Sequence, residues 1–119
     1  MPNSFVTNLY PNPTKGTTIR KMDVDSTSAA HTILADSTIN DGSNTAGATT
    51  FDSLTKFVVI DVQDADAFVS YDGTTPNANY GHRLYAGRSY TWSKKAAEDA
   101  KFVATGSTTS VIQSSEFTN

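Results

Sequence analysis

The chain has 119 residues, with nine lysines and arginines against twelve aspartates and glutamates, a formal net charge of −3 and no cysteine. At roughly 100 to 200 residues per domain, this length excludes a two-domain enzyme and leaves one domain, or one domain with an arm. The missing thiols exclude a disulfide framework, a thiolate metal cage and a cysteine nucleophile, and the dispersed basic residues leave no cationic footprint for nucleic acid, so no direct nucleic-acid partner is expected.

Charged residues make up only 18% of positions, while serine and threonine supply about a quarter. Polarity is therefore carried by hydroxyls, which favours β-structure through threonine and suits a surface that packs against others, since few charges need desolvating when an interface closes. The first ten residues lack a basic start and an unbroken apolar stretch, so they do not resemble a signal peptide. No run approaches the ~20 apolar residues of a membrane span, and no basic amphipathic face is present, so no membrane role is expected.

Residues 1–25 hold three of the four prolines (Pro2, Pro11, Pro13) and the turn-like Asn12-Pro13-Thr14-Lys15-Gly16. They read as an extended N-terminal arm ahead of a domain at 26–119. Phe5, Val6, Leu9 and Tyr10 are its candidate docking groups, because a solvated tail rarely carries four large apolar residues in six positions.

Ala29-Ala30-His31-Thr32-Ile33-Leu34-Ala35 reads as a strand. From Asp36 to Thr50 the chain is rich in turn formers and poor in apolar residues, predicting a long surface loop at 36–50. With Asn40 and Asn44 near its centre, that loop is a candidate second contact surface.

Lys56-Phe57-Val58-Val59-Ile60-Asp61-Val62 is a β-branched run of strand length, expected to be the central strand and buried on both faces for most of its length. Ala65 to Tyr71 follows after Gln63-Asp64 and is expected to form a hairpin with it, Ala67, Val69 and Tyr71 on one face and Phe68 on the other. Asp72-Gly73, Pro76, Gly81 and Gly87 then punctuate a turn-dense stretch. Arg88 to Ser93 alternates, placing Tyr90 and Trp92 on one face of a strand. Ser93 is positioned to cap a short helix over Lys94–Ala100. Lys101–Thr105 and Thr109–Gln113 read as a final hairpin around Gly106-Ser107-Thr108. The fold class is all-β: a small antiparallel β-sandwich or barrel with an extended N-terminal arm and at most one short helix.

Catalytic chemistry finds little support. His31 and His82 are isolated, no Gly-x-Ser-x-Gly elbow occurs, and Gly73, Gly81 and Gly87 are too widely spaced to cradle a phosphate. Asp61, Asp64, Asp66 and Asp72 could offer hard oxygen ligands to calcium, but their spacing fits no EF-hand. Capping by Asp64 and Asp66 and a local turn bond from Asp72 explain them more simply. Tyr71, Tyr80, Tyr85, Tyr90 and Trp92 suit either a core or a sugar-binding platform. No catalytic residue, metal or cofactor is expected.

From Phe57 to about Ile112 the chain resembles small virion proteins of tailed bacteriophages. The pattern comprises an apolar strand, Phe68-Val69-Ser70-Tyr71-Asp72-Gly73-Thr74-Thr75-Pro76, Gly81-His82-Arg83-Leu84 with Ala86-Gly87, and a late Lys101-Phe102-Val103 strand. The resemblance implies a β-sandwich with a non-enzymatic, structural role: a capsid decoration or cement protein on the virion surface, made in the host cytoplasm. It implies the major capsid protein and further copies of the chain, as dimer or trimer, for partners. A neck, tail or fibre-base component, or a host-glycan-binding domain, is the alternative.

Overall fold

The computed structural model describes residues 19–26, 29–39, 50, 51 and 53–117. Two antiparallel sheets stack into a sandwich. The larger runs β2-β1-β8-β3-β6, from β1 (Ile19–Val24), β2 (Thr38–Ile39), β3 (Phe57–Gln63), β6 (Ser89–Ser93) and β8 (Ser110–Phe117), with the two-residue β2 at its margin. The smaller is β5-β4-β7, from β4 (Ala67–Ser70), β5 (His82–Leu84) and β7 (Lys101–Ala104). Two short helices, α1 (Ile33–Asp36) and α2 (Lys94–Asp99), complete the described residues. None of the described helices is long and apolar enough to cross a membrane.

Period-2 patterning builds the inner face. Met22 and Val24 on β1, Val58, Ile60 and Val62 on β3, and Ile112 on β8 are all buried. Opposite them lie Ala67, Val69 and Phe102 of the smaller sheet. Phe102 on β7 reaches across to Trp92 on β6, ring centroids 5.7 Å apart, and so joins the two sheets. Fully burying a side chain of this size contributes about 2 kcal/mol or more. Tyr90 and Trp92 share a face and pack on the core, as the alternation predicts. Ser93 caps α2, accepting from the Ala96 amide at 3.1 Å, which lets Ala97 pack into the core.

Several expectations are corrected. Of the sandwich or barrel expected, the sandwich is what forms, but the described residues hold two short helices where at most one was expected. The last part of the segment read as an arm is β1, paired with β8 along its whole length from Ile19↔Ser115 to Val24↔Ser110. Its alternating Arg20, Met22 and Val24 explain why. Residues 1–18 lie outside the described residues.

The run at 29–35 is not a strand. His31 makes one bridge to Phe102, and then Thr32 turns the chain into α1. The Thr32 side chain accepts from Ala35 N, while Asp36 accepts from Thr32 N at 2.7 Å, a reciprocal cap that outweighs the β-propensity of Thr and Ile.

The middle strand of the larger sheet is β8, not β3, and β3 buries one face only, leaving Asp61 exposed. Neither expected hairpin forms. β3 pairs with β6 and β8, whereas β4 lies in the other sheet with β5 and β7. The switch is a γ-turn: Asp64 sits at φ 71 and Ala65 N donates to Gln63 O at 2.8 Å. Likewise β7 and β8 belong to different sheets, so the Gly106 region crosses the sandwich.

Candidate functional site

The turn motif shapes the rim where the chain runs from β4 to β5. Asp72 makes the local turn bond expected of it, accepting from Thr74 N at 3.0 Å, and Gly73 follows at φ 89. Pro76 is fully buried. Asn77 and Tyr80 exchange backbone hydrogen bonds across a tight turn, with Asn77 Oδ1 accepting from Asn79 N at 2.8 Å. Gly81 then passes so close to β4 that a Cβ there would lie 2.5 Å from the Val69 carbonyl oxygen, at φ 115. Only glycine fits both demands. Gly87, at φ 86, places its N–H on Val62 O at 2.8 Å and brings the chain back to the larger sheet.

This stretch also displays three tyrosines to solvent, Tyr71, Tyr80 and Tyr85. The Tyr85 ring carries two guanidiniums over it, those of Arg83 at 5.7 Å and Arg88 at 5.3 Å from its centroid. Tyr71 stands edge-on to Trp92 at 5.5 Å, with His82 tilted 6.1 Å away. Tyr71 is only partly covered, and that partial desolvation raises the pKa of its hydroxyl above the ordinary value. Tyr80 donates its hydroxyl to Asp72, and the bond lowers the pKa of Asp72 while raising that of Tyr80. The five aromatics singled out from sequence thus divide: Tyr90 and Trp92 go to the core, Tyr71 and Tyr80 border one groove, and Tyr85 is taken up by arginines.

The four aspartates do not converge. Asp61 accepts from Ser89, Asp64 forms the γ-turn, and Asp72 is held by Thr74 and Tyr80. Asp66 accepts from Ala86 N at 2.7 Å and from Arg83 Nε at 2.9 Å. Those two bonds, the backbone one foremost, hold its carboxyl below the usual range. Among the described residues no group of three or more His, Cys, Asp or Glu side chains is placed to hold a metal ion. His31 faces carboxylates on both sides, Asp25 at 2.9 Å and Asp36 at 3.9 Å.

One feature escaped the sequence reading. Arg20 and Glu116 form an ion pair on the inner face of the larger sheet, and Thr55 donates to Glu116 at 2.8 Å. Arg20 also donates to Thr50 O at 3.2 Å and lies over the Phe51 ring. The pair clamps the 50–55 segment to the sheet. Its signal was present in the alternation, since Arg20 is in phase with Met22 and Val24, and Glu116 with Ile112. The candidate docking residues Phe5, Val6, Leu9, Tyr10, Asn40 and Asn44 lie outside the described residues.

Comparison of the chain with family models, with curated proteins and with solved structures gave no match.

Proposed function

We propose that the protein is a non-enzymatic structural component of a tailed-bacteriophage virion, a decoration or cement protein that binds the assembled head. The reading is carried by the use the fold makes of the resembling segment. Asp72, Gly73, Pro76 and Gly81 are spent on chain geometry, turning a rim and letting two backbones approach, which is what a scaffold asks of such residues. The low charge content, 18% of residues, adds support, because a hydroxyl-rich surface closes against a partner at small desolvation cost.

The mechanism is linkage. A protein that binds the mature lattice in preference to its dissociated subunits shifts the equilibrium toward the lattice by mass action. Burial of surface supplies the energy, and repetition over an icosahedral shell, with self-association into dimers or trimers, adds avidity to small contacts. The apolar groups Phe5, Val6, Leu9 and Tyr10, with Asn40 and Asn44, are assigned to the capsid contact.

The test adds the purified full chain to shells of the cognate phage that lack it. Saturable co-sedimentation, with DNA release moved to higher temperature, is the expected result. Shells that neither bind the protein nor gain heat resistance would overturn the reading.

A further inference from the structure

Two shallow depressions meet at Tyr71 and Asp72. One, of about 440 Å³, runs from these residues past Tyr80 to His82; the other, of about 420 Å³, runs toward Glu98, Asp99 and Lys101. Tyr71 and Asp72 line both, so the two depressions adjoin and together make a shallow surface groove divided by these two residues. We propose that this groove is a binding site for a neutral oligosaccharide, with the rings of Tyr71 and Tyr80 as stacking surfaces and Asp72, His82 and Glu98 as hydrogen-bonding groups. The assignment stands apart from the virion reading, sharing with it only Asp72, whose turn bond to Thr74 leaves its carboxylate free to accept further hydrogen bonds.

Sugar recognition needs a rigid aromatic ring beside fixed polar groups, because a pyranose offers an apolar face and an edge of hydroxyls. Both are present. Tyr71 is backed edge-on by Trp92, and Tyr80 is tethered through its hydroxyl to Asp72, so neither ring must be ordered on binding. Asp72 is held at one oxygen by Thr74 N and at the other by Tyr80, and each oxygen keeps a lone pair for a ligand hydroxyl. Among the described residues the side chains of His82 and Glu98 have no hydrogen-bond or ion-pair partner. With Asp99 paired to Lys95 at 3.2 Å, Asp72 and Glu98 still outweigh Lys101, whose ammonium already donates to Gly73 O at 3.0 Å, so an anionic sugar is disfavoured. Tyr85, occupied by two guanidiniums, is not part of the site.

Trp92 is the single tryptophan and touches Tyr71, so its emission reports on the groove. The full chain is titrated with maltotriose, cellotriose, triacetylchitotriose and trigalacturonate, following fluorescence and, independently, heat by calorimetry. At least one neutral trisaccharide is expected to bind saturably, and trigalacturonate is not. Tyr80→Ala and Glu98→Gln, both at exposed positions, should each weaken binding about five- to tenfold, while Tyr85→Ala leaves it unchanged. Absence of saturable binding to every neutral probe, affinity untouched by both groove variants, or equal affinity for trigalacturonate would each overturn the proposal. Tyr71 and Tyr80 shielded from iodination by a protein neighbour in the particle, with no sugar response, would assign the groove to that contact instead.

Discussion

Arg20 and Glu116, 96 positions apart in sequence, meet at 3.4 Å inside the molecule with side chains 2% and 1% exposed. The two ends of the described chain are thereby tied across β1 and β8, and the 50–55 segment is tied to both by Thr55 and Thr50. Removing one partner strands a buried charge, so Glu116→Ala should cost about 3 to 5 kcal/mol in urea unfolding. Replacing both together, as in Arg20→Met with Glu116→Leu, should cost much less than the sum of the single changes. Additive losses would show that the pair is not coupled.

Gly81 and Gly73 both have positive φ but differ in their surroundings, and the difference can be read in stability. Gly81→Ala places a Cβ 2.5 Å from the Val69 carbonyl oxygen, whereas at Gly73 nothing lies within 4 Å. The alanine at 73 should cost about 1 kcal/mol of backbone strain alone. At 81 the clash forces β4 or the following turn to move, and roughly 3 kcal/mol or more is expected. Equal melting temperatures for the two variants would contradict the close approach.

Asp66 and Asp72 each contribute to the expected acid response. Both carboxyls are held below their ordinary range, Asp66 chiefly by the Ala86 amide and then Arg83, Asp72 chiefly by Tyr80 and then the Thr74 amide. A depressed folded pKa gives stability that is present above the unfolded value, near pH 4, and lost as pH falls through the folded value. Melting temperature should therefore drop below about pH 4, with the drop made shallower by Asp66→Asn. At the other extreme, the Tyr80 pKa is raised by the same bond to Asp72. Its contribution is complete below about pH 10 and fades as pH rises through the raised value. An Asp66→Asn profile identical to the parent's would remove Asp66 from this account.

Much of the fold was legible where one strand's own periodicity decides the outcome. Tyr90 and Trp92 on β6, the Ser93 cap and the Asp72 turn follow from local sequence, and the structure has them. Sheet membership was not legible. A short polar link between two apolar strands, such as Gln63 to Asp66, reads the same whether the strands pair or stack, and the γ-turn at Asp64 is what sends β4 to the other sheet. Thr32 shows a second limit, because a side-chain cap four residues from its partner Asp36 overrode a β-rich composition. The Arg20–Glu116 pair shows a third: both residues have the inward phase of their strands, yet charge alone reads as solvent exposure until a partner is known. Within the groove, sequence named the tyrosines together, and only the fold separates Tyr71 and Tyr80 from the arginine-bound Tyr85.

The central claim, a decoration or cement protein on a phage head, is tested most directly by copy number per purified particle, measured by quantitative mass spectrometry against the major coat protein. A ratio of about one, or a simple lattice fraction of it, is the predicted result, because a shell component follows the symmetry of the lattice it covers. A count of about a dozen copies or fewer per particle, as a single ring would contribute, or absence from the particle, would contradict it.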